Sequence, residues 1–399
     1  MTSSPANPGL QFASALSTNE DTDQAIAEVC SQASGQLGGP ADLAVLFVSH
    51  HHGPDFAPLL DEIQQRITPR RLIGCTGESI VGTATEVEDS PAVSLWLARL
   101  PGVSLVPMHL EFERTPEGGT FVGWPDDLPE PWPAGATLLL LGEPFSFPAD
   151  YLLERLAEDH PELPILGGMA SGAASPGANR LFLDGEAFES GAAALLVHGP
   201  VRIRSVVSQG CRPIGRPMVV TKADQQVILE LSGKPPLAQL QEVFDDLPPR
   251  EQQLVQQGLH VGRVINEYQE HFGRGDFLVR NCIGADRKSG AIAIGDFVRT
   301  GQTVQFHVRD AQSADDDLRE LLKTLGQGDA SGPAGALLFT CNGRGTRMFR
   351  EPHHDAAALV EQLGKIPVAG FFAQGEIGPV GGKNFLHGFT ASVALFGPA

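Results

Sequence analysis

The chain has 399 residues, 42% hydrophobic and 19% charged, which is enough apolar content for a large core and too much for a disordered chain. Lys and Arg total 28 against 48 Asp and Glu, a formal charge of -20, and so acidic a surface repels phosphate backbones and anionic headgroups, arguing against nucleic acid and membranes as partners. Five scattered cysteines without a CxxC, no leader-like N-terminus and no run near the roughly 20 apolar residues of a membrane helix predict a cytoplasmic protein with reduced thiols.

The first 24 residues read as an N-terminal extension, the first 20 of them loop-like or weakly ordered. ADLAVLFVS (41–49) has the pattern of a buried strand. In the helix predicted over 57–67, Leu59, Leu60, Ile63 and Ile67 share one face. RRLIGCTGESIVG (70–82) follows, a short apolar run and a glycine turn, and AVSLWLARL (92–100) returns as a strand. Residues 113–133, rich in Pro and Gly, read as loop. The pattern then recurs with ATLLLLGEP (136–144), a helix over 149–159, LPILGGMASG (163–172) and GAAALLVHG (191–199). It recurs again with GALLFTCNG (335–343), a helix over 355–363 that Asp355 is placed to cap, IPVAGFFAQGEIG (366–378) and HGFTASVALF (387–396).

Phe47 to Gly74 and Leu140 to Gly167 each span 27 positions, and Phe339 to Gly370 spans 31. The unit is strand, helix, strand, glycine turn, strand. Helical crossovers imply parallel neighbours and the hairpins after them antiparallel ones. Between the second and third units, 201–233 reads as strands, 234–247 and 248–270 as helices, 277–298 as a hairpin, 303–310 as a strand and 313–325 as a helix with acids in its first turn. The expected fold class is α/β: two domains of mixed sheets flanked by helices, 25–224 and 225–399, built from the repeated unit.

CRPIGRPMVVTKADQQVILELSGKPPLAQL (211–240), FTCNGRGTRMF (339–349), and IPVAGFFAQGEIGPV (366–380) followed by FLHGFTASVALF (385–396) resemble the FIST sensory domain, named for F-box and intracellular signal transduction proteins. The N-terminal part of that family resembles 40–224 and the C-terminal part 225–380. The resemblance implies a cytoplasmic small-ligand-binding module for amino acids or their derivatives. Its relatives are often fused to output or F-box domains; this chain shows none, so a separate signalling partner is implied.

Cys341, Asn342, Gly343 and Arg344 follow a strand pattern, where α/β sheets gather ligands, and the guanidinium fork of Arg344 suits a carboxylate. Glu376 occupies the turn after the next strand, placed to take an ammonium; Gln374 and one face of the Phe371–Phe372 pair, assigned to Phe372, would line the pocket. The bland alternative is that Arg344 and Glu376 pair with each other. Ser49, His50, Cys75 and Glu78 hold the matching places in the first unit, for a second pocket or the other half of one; the middle unit, with Met169 and Ser171, reads as structural. No metal set is expected, because His50–His51–His52 lacks converging partners, and no cofactor is assigned. Two other readings stand beside the sensor: a Cys-dependent hydrolase or transferase using Cys341 with His387 and Glu376, and a haem-based gas sensor with His198, His387 or Cys341 as axial ligand.

Overall fold

Three parallel strand pairs organise the larger of two compact units: Leu43–Ser49 with Arg71–Gly77, Thr137–Gly142 with Ile165–Met169, and Gly335–Cys341 with Val368–Ala373. The helices Ala57–Ile67, Ala149–Asp159 and His354–Leu363 join them, the crossover that lets sequential strands lie parallel. The computed structural model describes residues 9–116, 118–326 and 332–399; residues 1–8 of the N-terminal extension lie outside these. The fold is the mixed α/β expected.

A glycine sits at the same register in each pair. Gly74 lies opposite Leu46, Gly167 opposite Leu140 and Gly370 opposite Leu338. A Cβ at any of the three would fall 1.9–2.0 Å from the carbonyl oxygen of that leucine, so no larger residue fits.

Each pair is followed by a short strand that leaves for another sheet. Ile80–Gly82 pairs with Val368–Ala373, Leu181–Leu183 with Arg71–Gly77, and Glu376–Val380 with Ile165–Met169. The exchange is cyclic, so each sheet is completed by the strand of a different segment. It brings Thr85–Val87, the hairpin partner of Ile80–Gly82, into the sheet that carries Arg344's strand.

The strands are buried on both faces, which is why they read as continuous apolar runs rather than alternating ones. One face of all three sheets feeds a shared core with Phe47, Leu139, Phe339 and Phe371. The opposite faces pack on their own helices: Leu46 with Leu60 and Ile63, Leu140 with Leu152 and Leu156, Leu338 and Phe372 with Leu359. The adjacent Phe371 and Phe372 thus serve opposite faces, as strand geometry requires.

The compact units do not divide at 224/225. Unit one combines Met1–Val207, Leu318–Leu386 and Thr390–Ala399; unit two is Ser208–Asp317 with His387–Phe389. Unit two is a closed barrel of six antiparallel strands around Ile214, Val220, Val261, Ile292 and Phe306. Three expectations are corrected. The helix expected over 248–270 stops at Gln257 and continues from Leu259 as a barrel strand, Gly258 marking the break. The helix expected at 313 starts at Ala311, with no acid in its first turn. Gln11–Ser17, in the stretch read as weakly ordered, is a strand paired along its length with Val93–Arg99. Among the described residues no helix is long and apolar enough to cross a membrane.

Candidate functional site

At the end of Gly335–Cys341 the chain turns sharply. Asn342 N–H still bonds the Ala373 carbonyl at 3.0 Å, and Arg344 N–H bonds the Cys341 carbonyl at 2.8 Å. Gly345 then takes a φ of 57°, and a Cβ there would meet Glu88 and the Phe372 ring at 2.7 Å. This turn sends the Arg344 side chain inward, where it is wholly buried.

Arg344 meets Asp355 as a two-pronged fork: Nε donates to Oδ2 and Nη2 to Oδ1, both at 2.7 Å. The guanidinium lies 5.1 Å over the Phe349 ring, which stacks on His354. Asp355 also accepts from Thr340 Oγ1 at 2.5 Å and bonds His354 Nδ1 at 2.8 Å. Burial would raise its pKa, but the Arg344 charge and these bonds hold it well below the usual carboxylate range. Two expectations change. Asp355 is not the helix cap, since the cap position is His353, at φ 65°. Arg344 does not pair with Glu376.

Glu376 is wholly buried as well. Its Oε2 accepts from Thr390 N–H at 3.0 Å and Thr390 Oγ1 at 2.8 Å. Burial pushes its pKa up to about 8, outweighing Thr390, the Cys341 thiol beside the carboxyl and the Arg344 charge, all of which favour ionisation. Glu86 joins from the exchanged hairpin: Oε1 accepts from Ala356 N–H at 2.9 Å, and its own N–H donates to His353 Nδ1 at 3.0 Å. Burial and the neighbouring Asp355 charge push it up to about 8 too. Both glutamates therefore hold their protons more tightly than exposed carboxyls do, beside the Arg344–Asp355 ion pair.

Four buried polar atoms here have no hydrogen bond of sound geometry: Arg344 Nη1, Glu376 Oε1, Glu86 Oε2 and Asn342 Oδ1. They are four of eleven such atoms among the described residues, and both glutamates feel the Arg344 charge. Buried polar atoms are seldom left unmatched. The corresponding place after Thr137–Gly142 is a contrast. There Glu143 is equally buried, but Oε2 accepts from Phe145 N–H, Ser146 N–H and Ser146 Oγ, and Oε1 from Asn179.

The expected site residues divide accordingly. Cys341, Asn342, Gly343, Arg344, Phe372 and Glu376 come together; Cys341 is half-buried, and Gly343 N–H points at its Sγ, 3.4 Å away. Glu78 joins the rim through an ion pair with Arg347, whose Nη1 also bonds the Asn342 carbonyl at 2.9 Å. Gln374 is exposed in its turn, held by its backbone to Met169. Ser49 Oγ is taken up by Ala92 N–H at 2.9 Å, Cys75 is buried in the shared core with its thiol pushed well up by burial, and His50 is exposed against His51. Ser171 braces two turns, bonding Glu78 N–H and the Phe372 carbonyl. Sequence reasoning missed Glu86 and the role of Asp355. Asp355 carried a signal, an acid eleven positions after a buried arginine; Glu86 carried none, because only the strand exchange brings it here.

Comparison with known proteins places these elements in a family. A model of the FIST N domain matches residues 42–234 and one of the FIST C domain matches 236–379. The uncharacterized protein Rv0628c of Mycobacterium tuberculosis is 46% identical over 382 residues, 96% of this chain and 98% of its own length. The uncharacterized protein Mb0898c of Mycobacterium bovis is 45% identical over 380 residues, 95% of this chain and 97% of its own length.

Proposed function

The chain belongs to the FIST family, whose domains are sensory domains of signal transduction, and from that premise we propose that it is a cytoplasmic module sensing a small zwitterionic or carboxylated metabolite, an amino acid or close derivative, at the Arg344 cluster. The observation that carries this is the set of unmatched buried atoms. Arg344 Nη1 is a cationic donor for a ligand carboxylate, while Glu376 Oε1 and Glu86 Oε2 are acceptors for an ammonium. The Arg344 fork itself is spent on Asp355, so the ion pair orients Nη1 rather than gripping the ligand with both prongs. An arriving ammonium supplies the charge that lets the glutamates ionise, so binding releases protons near neutral pH.

The signal leaves through the turn. Thr346 N–H and Oγ1 bond Glu88, and Arg347 pairs with Glu78, so a shift of residues 342–347 moves two other surface segments. Ligand binding would favour one arrangement of these segments, to be read by a separate partner protein. A thermal-shift panel of amino acids tests the reading. A cognate ligand at 100 times its Kd adds about 2.7 kcal/mol, and Asn342→Ala or Glu376→Gln should lose that gain. No stabilisation by any carboxylated or zwitterionic metabolite would contradict it. A Cys341-dependent transferase or hydrolase is the second reading, favoured by the half-buried thiol that faces Gly343 N–H and lies beside Glu376. Turnover of a thioester probe, abolished in Cys341→Ala, would decide for it.

A further inference from the structure

A cavity of about 690 Å³ lies elsewhere in unit one, between residues 119–132 and the helix Ala149–Asp159. It belongs to the stretch that reads as loop from sequence, yet Thr120–Val122 is a strand paired with Glu111–Glu113. Phe121, Trp124, Trp132 and Tyr151 contribute to its walls. Phe121 and Tyr151 rings lie 5.7 Å apart, Trp124 and Trp132 rings 6.1 Å apart, and Trp132 stacks on His160 at 4.2 Å. Trp124 Nε1 donates to the Phe121 carbonyl at 3.0 Å, which fixes that indole in place. The chain has three tryptophans, so two of them line this one cavity.

The charges around it are Asp126, Glu130 and Asp159 against Arg155. Ring faces carry negative quadrupole density, and the three carboxylates outnumber the one cation, so both contributions attract a positive guest. The walls combine aromatic rings with the carboxylate oxygens of Asp126, Glu130 and Asp159. That combination suits a cation whose charge is spread over methyl groups, which pack on the rings while the carboxylates face the charge.

We propose that this cleft binds a small quaternary ammonium compound. Its methyl groups pack on Trp124, Trp132 and Tyr151, and the carboxylates of Asp126, Glu130 and Asp159 face its charge. The site stands apart from the Arg344 cluster and does not depend on that reading.

The test uses the full chain and intrinsic tryptophan fluorescence. Trp96 is wholly buried in the shared core, so it gives a constant background and changes report Trp124 and Trp132. Choline and tetramethylammonium should produce saturable changes. The uncharged isostere 3,3-dimethylbutan-1-ol should bind at least about ten times more weakly. Trp132→Leu should weaken choline binding roughly five- to thirty-fold. Asp159→Asn, at an exposed helix position, should weaken choline binding measurably and flatten its salt dependence. Equal affinity for choline and the uncharged isostere would overturn the proposal. So would the absence of saturable choline and tetramethylammonium binding by both fluorescence and calorimetry.

Discussion

Replacing Glu376 with Gln should make the protein more resistant to alkali. The carboxyl is wholly buried and titrates near about 8, whereas a glutamate in an unfolded chain titrates near about 4.3. Between those values the folded chain holds a proton that the unfolded chain has released. Stability from this group is therefore fully present below about pH 4.3 and is lost as pH rises through about 8. At about 1.4 kcal/mol per pH unit, the loss between pH 5 and pH 9 approaches roughly 4 kcal/mol. Glutamine keeps the neutral form at every pH, and its amide oxygen can still accept from Thr390. Urea unfolding of wild type and Glu376→Gln at pH 5, 7 and 9 should therefore show near-equal stability at pH 5 and a growing advantage for the variant toward pH 9. A difference that stays constant across the three pH values would show that Glu376 does not hold its proton in the folded chain.

Other outcomes follow from the same geometry. Asp355→Asn strips the countercharge from a buried guanidinium and should cost about 3–5 kcal/mol in urea unfolding; a loss below about 1 kcal/mol would show that the pair is not desolvated. Gly370→Ala places a Cβ 1.9 Å from the Leu338 carbonyl and should destabilise by about 1–3 kcal/mol or more, as should Gly74→Ala against Leu46; an unchanged melting temperature would contradict the close approach. Brief alkylation of the native protein followed by mass spectrometry should modify Cys341 well before Cys75, Cys30 or Cys211, all three buried, and the reverse order would be incompatible with these burials.

The three parallel pairs were legible because each is an apolar run, a helix and a second apolar run ending at a glycine, and the close approach of that glycine to its neighbour leaves a trace in sequence. Glu376 was legible as the one charge in its turn, and Arg344 as the cation after a buried strand. What could not be read is non-local. Ile80–Gly82 gives no hint that it crosses to Val368–Ala373, so nothing announced Glu86 beside Ala356. Asp355 looked like a cap because it precedes a helical pattern; the demand of a buried guanidinium for a carboxylate outweighs that local preference. Likewise the apolar spacing after Pro248 suits a helix, but the barrel needs a strand at Leu259–Val264, and pairing on both sides overrides propensity. Gln11–Ser17 is short, preceded by Pro8 and Gly9 and followed by Thr18 and Asn19, so only its partner strand reveals it.

We propose that the unmatched atoms around Arg344 are the polar half of a ligand site. A crystal structure of the protein with the metabolite that most raises its melting temperature tests this most directly. A ligand carboxylate is expected within hydrogen-bond distance of Arg344 Nη1, and a cationic group against Glu376 Oε1 or Glu86 Oε2. Those atoms bonded only to water, with the ligand bound elsewhere, would contradict it.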